Sequence, residues 1–229
     1  MNNDISSQTD KASIDYSSID YSDFIGNIRT MQGRNYFSQA GQDLFVLEML
    51  NNKKNGFYIE IGGADPFESN NTFLLEKDFS WQGFSIEFDE TLATRYNTMR
   101  SNPCFCDDAT TYDYLSKTKL LNFPAQIDYL SVDIDPVEYT YLALKKCPFD
   151  QHRFSVITFE HDAYASGTEY MELSRAFLDS RGYQLVAKNV KCFGRDFEDW
   201  WIDPNVIAKS TWLKFDCDSK EFSAIFEEK

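Results

Sequence analysis

GFYIEIGGAD, residues 56–65, is the stretch that decides the fold of this chain. It reads as a buried strand that runs into a Gly-Gly turn with an acidic residue on either side. The next strand-like segment, residues 83–88, contains Glu87, which lies 25 residues beyond Gly62. A glycine turn lets a ligand approach the backbone closely, and an acid at the end of the next strand can hold ribose hydroxyls. The stretch therefore predicts a nucleoside-cofactor site at the carboxyl edge of a parallel sheet.

Two kinds of cofactor fit this layout. A dinucleotide needs G-x-G-x-x-G, because its pyrophosphate is held by several backbone N–H groups at a helix N-terminus. Ala64 and Phe67 stand where the second and third glycines belong, which disfavours a diphosphate. S-adenosylmethionine carries no phosphate, and an acidic strand end suits its charge and its hydroxyls. A Gly-Gly turn is also common as a plain turn, so the surrounding pattern has to decide.

The composition bounds the class of protein. With 229 residues, 42% of them hydrophobic, the chain is long enough for one α/β domain with its own core. A net charge of −15 repels phosphate backbones and anionic lipid, which argues against nucleic-acid and membrane-surface partners. The polar start predicts no signal peptide, and five cysteines without a CxxC pair predict reduced thiols in the cytoplasm.

The order of segments predicts alternating strands and helices. Residues 1–35 are polar, with SIDYS at 13–17 and again at 18–22, and are predicted to be a disordered or loosely packed tail before a domain at 36–229. Strands are predicted at 57–61, 83–88, 103–106, 127–133, 154–160, 183–188 and 211–216, and helices at 43–50, 71–79, 90–100, 107–119, from 136 onward, and 166–181. Such alternation indicates a mainly parallel seven-stranded sheet with helices on both faces and an antiparallel hairpin at one edge.

Acidic residues recur at the ends of these strands, at Glu60, Glu87, Asp133 and Glu160. Each taken alone fits a solvated or capping carboxylate. Together they would repel one another at one rim of the sheet unless a ligand or a cation offsets their charge. Asp133 and Asp135, with Glu160 or Asp162, are therefore candidate ligands for Mg²⁺, although Asp135 also suits the N-cap of the next helix.

Two further features suggest an acceptor site. His161 lies between two acids at the end of a strand, where an imidazole could take a proton from an acceptor hydroxyl or could simply be a hydrogen-bonding residue. The segment GRDFEDWWIDP, residues 194–204, reads either as a loop folded over its own aromatic residues or as a wall for a polyhydroxylated acceptor.

The chain resembles the FkbM-type family of S-adenosylmethionine-dependent methyltransferases. The resemblance is carried by SQAGQD (38–43), GFYIEIGGADP (56–66), NTFLLEK (71–77), WQGFSIE (81–87), IDYLSVDID (127–135), VITFEHDAY (156–164) and FEDWWIDP (197–204). It implies a class I, Rossmann-like methyltransferase fold with seven strands, the last inserted antiparallel. It also implies O-methylation of a hydroxyl on a sugar, glycan or related small molecule, with homo-oligomerisation left open.

The resemblance also implies the cofactor contacts. They are Glu60 and Gly62 at the methionine end, Glu87 at the ribose, Asp108 and Ala109 beside the adenine, Asp133 near the reaction centre, and Gln39 and Gln42 closing from the N-terminal side. Pro66 and Pro136 stand where the family usually has glycine. These departures keep two rival functions open, a catalytically silent binding or partner module and, less favoured by the missing glycines, a sugar-nucleotide oxidoreductase.

Overall fold

The computed structural model describes Tyr16 and residues 29–227. The strands are β1 (Arg29–Met31), β2 (Arg34–Tyr36), β3 (Phe57–Ile61), β4 (Gln82–Glu87), β5 (Cys104–Cys106), β6 (Gln126–Val132), β7 (Arg153–Glu160), β8 (Gln184–Cys192), β9 (Arg195–Ile202) and β10 (Cys217–Asp218). The helices are α1 (Gln42–Met49), α2 (Phe73–Phe79), α3 (Glu90–Met99), α4 (Tyr114–Leu120), α5 (Val137–Lys146), α6 (Ala163–Ser166), α7 (Glu169–Ser180), α8 (Lys209–Trp212) and α9 (Phe222–Glu227). Within these residues no helix is long and apolar enough to cross a membrane.

Eight strands form the central sheet, in the order β10-β8-β9-β7-β6-β3-β4-β5. Every pairing is parallel except those of β9, which runs antiparallel to both of its neighbours. Alternate side chains of one strand enter two separate cores, because successive residues of a strand point to opposite faces. Tyr58 packs in a cluster with residues of α1 and α2, whereas Ile59 packs in a cluster with residues of α5 and α7. Helices therefore cover both faces, as predicted.

The end of the chain differs from the prediction in three respects. The predicted aromatic loop is strand β9, and the strand predicted at 211–216 is instead the end of α8 followed by a 3₁₀ turn at Leu213–Phe215. The added strand β10 makes eight strands where seven were expected and covers the outer edge of the β8–β9 hairpin. Strand β9 lacks a polar–apolar alternation because both of its faces are buried, with Trp200 in one core and Trp201 in the other.

Two predicted helix starts, at residues 107 and 166, are also wrong. Helix α4 begins after Asp113, whose side chain accepts a hydrogen bond from the Ser116 N–H. Asp108 accepts instead from the Thr110 N–H and hydroxyl, because a short acidic side chain readily closes a local turn. Helix α7 begins at Glu169, after Thr168, which makes no side-chain cap.

Part of the predicted N-terminal tail, which ends at residue 35, lies within the described residues. Residues 29–35 belong to the hairpin of β1 and β2, and Arg29 Nη2 of that hairpin donates to the Phe37 carbonyl at 2.8 Å. Tyr16 is half-buried, with its ring edge on Phe73 at 5.9 Å between centroids. The rest of the predicted tail lies outside the described residues.

Candidate functional site

A cavity of about 740 Å³ opens at the carboxyl edge of the sheet. It lies where the strand order reverses, with β4 on one side of β3 and β6 on the other, which is the usual place for a ligand in an open α/β sheet. The turns after β3, β4, β5 and β6 all contribute to its walls, through Gly62, Ala64, Ile86, Glu87, Phe88, Asp107, Asp108, Ala109, Thr110, Asp133, Ile134, Asp135 and Tyr139.

Gly62 is required by the geometry of this edge. Its φ is +93°, and a Cβ built on it would lie 1.7 Å from the Asp133 carbonyl oxygen. The N–H groups of Gly62 and Gly63 both point to the Ile86 carbonyl, at 2.9 and 3.1 Å. The chain therefore turns sharply at the end of β3 and passes against the end of β6, where no larger residue fits.

Glu87 lies on the cavity wall with its carboxylate oriented by the backbone. Its Oε2 accepts from the Ala64 N–H and its Oε1 from the Asp89 N–H, each at 2.9 Å. These two bonds link the end of β4 to the turn after β3. An oriented carboxylate that is only partly buried keeps lone pairs for the hydroxyls of a ligand.

Asp133 is the partly buried carboxyl at the end of β6. Burial raises its pKa to about 7, and the nearby carboxylates of Asp162, Asp135 and Glu60 act in the same direction. The Asn71 side chain acts in the opposite direction by hydrogen bonding to the carboxyl. Asp133 therefore exchanges its proton near neutral pH, as a general base must.

The cavity is lined by acids alone among the charged residues. Glu87, Asp107, Asp108, Asp133 and Asp135 contribute to its wall, and no lysine, arginine or histidine does so among the described residues. A cavity with this potential favours a cationic ligand and disfavours a phosphate or diphosphate.

Three residues that the resemblance assigns to the cofactor are not among those that line the cavity. Glu60 is buried, and its Oε2 accepts from the Ser85 hydroxyl at 2.5 Å and from the Tyr96 hydroxyl at 3.2 Å. Burial raises the pKa of Glu60, while Oε1 has no hydrogen-bond partner among the described residues. Gln42 is fully buried at the start of α1 with its Oε1 on the Ala40 N–H at 2.7 Å, and Gln39 precedes it in the same turn.

The structure does not bring His161 to the cavity. The side chain is 0% exposed, with Nε2 at 3.6 Å from Asp199 Oδ1 and Nδ1 accepting from the Ala163 N–H at 3.2 Å. Asp199 is also bound by Arg175 of α7 through two bonds of 2.7 and 2.8 Å. His161 thus belongs to a buried polar cluster with Asp199 and Arg175 and does not line the cavity, so its role as general base stays a prediction.

The predicted metal ligands are not gathered either. Asp133 and Asp135 line the cavity, but Glu160 does not. No group of three or more histidine, cysteine, aspartate or glutamate side chains is arranged to hold a metal ion within the part of the chain that the structure describes. Glu160 ends β7 and pairs with Glu198 of β9, which lies on the side of β7 away from β6 and the cavity.

Two buried groups near the site give no signal of burial in the sequence. Glu198 lies in a segment that reads as a loop, yet it is buried on β9. Burial keeps its pKa well above the usual value, and Trp200 Nε1 donates to it at 2.6 Å. Arg100 is fully buried behind the turn that follows β3. A charged residue at the end of a helix gives no sequence signal of burial, because its partners come from other elements.

No family model matches the chain, and no curated protein matches it in sequence. Its backbone is similar to that of a putative rRNA-methylase from Clostridium thermocellum, with TM-score 0.50 and 12% identity over 73% of this chain and 96% of that one. The fold is that of the Rossmann-like methyltransferases. Seven of the eight strands, β3 to β9, account for the class I methyltransferase sheet that the resemblance implies, with β9 as the inserted antiparallel strand.

Two other solved structures are similar to this methyltransferase fold. One is a putative hemolysin from Streptococcus thermophilus, with TM-score 0.50 and 13% identity over 77% of this chain and 69% of that one. The other is an O-methyltransferase from Bacillus cereus in complex with SAH, with TM-score 0.49 and 13% identity over 78% of this chain and 85% of that one. Sequence identities this low support a shared fold and give no information on the acceptor.

Proposed function

We propose that the chain is an S-adenosylmethionine-dependent methyltransferase that acts on a hydroxyl of a sugar, a glycan or a related small molecule. The observation that carries the proposal is the acid-lined cavity at the switch point of the sheet, where Gly62 and Glu87 meet. The acceptor class rests on the FkbM resemblance. A cytoplasmic enzyme without nucleic-acid or membrane partners remains the expectation from composition.

The charge of the cavity fits this cofactor better than it fits a dinucleotide. S-adenosylmethionine has a sulfonium and an ammonium group against one carboxylate, so its net charge is positive at neutral pH. A dinucleotide would place a diphosphate among five carboxylates without a cation beside them. When bound, the cofactor supplies an electrophilic methyl group.

The residues of the wall have separate tasks in this proposal. Glu87 would bind the ribose hydroxyls, since its carboxylate is already oriented by two backbone N–H groups. Asp108 and Ala109, after β5, would flank the adenine. Gly62 allows the cofactor to approach the main chain, whereas the assignment of Glu60 to the methionine end rests on the FkbM resemblance alone.

Asp133 is the residue that we assign to proton removal from the acceptor. A hydroxyl holds its proton far too tightly to lose it unaided at neutral pH, so a base within reach of the acceptor is required. With a pKa raised to about 7, Asp133 is largely ionised at slightly alkaline pH and still basic enough to accept that proton. Asp133 lies in the cavity wall, whereas His161 does not.

Calorimetry with S-adenosylmethionine, S-adenosylhomocysteine and NADH tests the cofactor. We expect the first two to bind and NADH to give no heat, and the reverse result would refute the proposal. Transfer of labelled methyl groups to a panel of neutral saccharides then tests the acceptor, with Asp133→Asn as the inactive control. Cofactor binding without turnover on any acceptor would favour the catalytically silent module instead.

A further inference from the structure

The turn between β3 and α2 is held from inside the protein by two side chains. Asn70 Nδ2 donates to the carbonyls of Gly63 and Asp65, at 3.1 and 3.2 Å. Arg100 Nη1 donates to the Pro66 carbonyl at 2.9 Å and to Asn70 Oδ1 at 3.0 Å. This turn supplies Gly62 and Ala64 to the cavity wall, so its shape depends on where Arg100 lies.

Arg100 is itself fixed by a buried partner. The guanidinium is fully buried, with its Nε and Nη2 each at 2.8 Å from Glu76 Oε2. It lies over the rings of Tyr96 and Phe73, at 4.6 and 5.2 Å from their centroids. Although burial alone would raise the pKa of Glu76, the guanidinium holds that pKa below its usual value. The pair is therefore ionised, and each member determines the position of the other.

Tyr16 occupies the outer end of this network. Its hydroxyl donates to Glu76 Oε1 and accepts from the Ser101 N–H at 3.0 Å. Burial and the Glu76 carboxylate raise the pKa of Tyr16 to about 12, so the hydroxyl stays protonated and keeps donating at any physiological pH. A continuous path thus runs from Tyr16 through Glu76, Arg100 and Asn70 to the turn.

We propose that Tyr16 is a positioning residue for the cofactor turn, acting through Glu76 and Arg100, and that the contacts of its hydroxyl set the affinity of the cavity. The proposal rests on the proposed function for the identity of the ligand. Without the Tyr16 hydroxyl, the Glu76 carboxylate accepts a hydrogen bond from water in place of a buried donor. The carbonyl groups of the turn that Arg100 and Asn70 hold then become more mobile. Tyr16 then contributes to cofactor binding, although it lies in the region predicted to be a polar tail.

The substitution Tyr16→Phe tests this, because it keeps the ring on Phe73 and removes only the hydroxyl. Tyr21→Phe is the matched control, since Tyr21 holds the same place in the second SIDYS copy. Amide hydrogen exchange is measured in the ligand-free chain across the turn, where the N–H groups of Ala64, Phe67 and Glu68 have carboxylate acceptors.

In Tyr16→Phe we expect exchange at the turn to rise, and the Kd for S-adenosylmethionine to increase, by roughly three- to tenfold, since part of a hydrogen bond to a charged group is lost. Exchange in β6 and β7 should stay unchanged. Equal effects in Tyr21→Phe, or exchange that rises uniformly through the sheet, would overturn the proposal in favour of general stabilisation.

The exchange measurement separates this inference from the proposed function. If the native chain bound no S-adenosylmethionine, the proposed function would fail while the ligand-free exchange would still decide whether Tyr16 orders the turn. If the native chain bound the cofactor and Tyr16→Phe matched it in both affinity and exchange, the role of Tyr16 would be refuted and the proposed function would stand.

Discussion

As the proposed base, Asp133 should control the pH dependence of the reaction. Its pKa, raised to about 7 by burial and by neighbouring acids, means that the base is protonated below that pH and ionised above it. We therefore expect kcat/KM to fall about tenfold per pH unit below pH 7 and to level off above it, with Asp133→Asn lowering the plateau by about 10²–10⁴-fold. Steady-state rates between pH 5.5 and 9, about 1.5 units below to 2 above that pKa, measure this.

Asp135→Asn is the control for this assignment. The Asp135 carboxylate helps to raise the pKa of Asp133, so its removal should move the midpoint of the profile to lower pH without abolishing turnover. If Asp135→Asn left the midpoint of the pH profile unchanged, or if the Asp133→Asn enzyme were active, the base would have to be another group.

Glu87 should dominate cofactor affinity. We expect Glu87→Ala to raise the Kd for S-adenosylmethionine by about 10- to 150-fold, which corresponds to roughly 1.5–3 kcal/mol for a hydrogen bond to a charged group. Glu90→Gln removes the same charge from an exposed position three residues on and should change the Kd little. Calorimetry on both variants distinguishes a specific contact from the general acidity of the edge, since equal losses would point to the latter.

Gly62 should tolerate no side chain. Gly62→Ala combines a positive φ with a Cβ that overlaps the Asp133 carbonyl, whereas Gly182→Ala has a similar φ and nothing within 4 Å. We expect Gly182→Ala to lower the free energy of unfolding by about 1–2 kcal/mol and Gly62→Ala to lower it by more than about 4 kcal/mol. Urea unfolding measures both. Equal losses of unfolding free energy in the two variants would mean that the turn shifts to accommodate the Cβ without disturbing the end of β6.

The residues of the site differ in how far the sequence could predict them. Gly62 and Glu87 were found because a turn and the end of the following strand are local patterns. The burial of His161 beside Asp199 was not predicted, because it depends on the strand inserted next to β7, which no local pattern indicates. The burial of Arg100 was missed for the same reason, since its partners come from α2 and from the turn after β3.

At the scale of elements, β9 is part of the core and not a loop over the acceptor. Trp200 is fully buried and stacks on Phe45 at 4.6 Å, whereas Phe193, in the turn before β9, is 88% exposed. We expect Trp200→Ala to lower the free energy of unfolding by about 3–5 kcal/mol and Phe193→Ala to change it by less than about 0.5 kcal/mol. Denaturant titration checks this. A stable Trp200→Ala protein with impaired acceptor binding would support the alternative that this segment is a wall for the acceptor.

Strands β3 to β7 were predicted well because each is a short apolar run followed by a turn signal and a helix. The segment of β9 was not, because its acids and tryptophans read as surface while tertiary contacts bury both. Glu198 and Asp199 show the difficulty. Burial raises the pKa of Glu198 well above its usual value, and Asp199 is compensated by Arg175. Neither effect can be predicted from the segment itself.

At the scale of the whole molecule, charge should exclude nucleic acid. The net charge is −15, and the cavity is lined by five carboxylates, so a phosphate backbone would be repelled both at long range and at the site. We expect no retention of the chain by immobilised RNA even at about 50 mM salt, where such binding is strongest. Retention that weakens as salt is added would place the acceptor among nucleic acids instead.

The short outermost strands of the sheet also bear on how copies of the chain can meet. One border is β5, with three residues, and the other is β10, with two. Such short edge strands expose few unpaired main-chain N–H and C=O groups, so a strand of a second molecule can form few hydrogen bonds to them. Fibrous or edge-to-edge aggregation is thereby disfavoured at high concentration, and any homo-oligomer would have to be built from helical or loop surfaces.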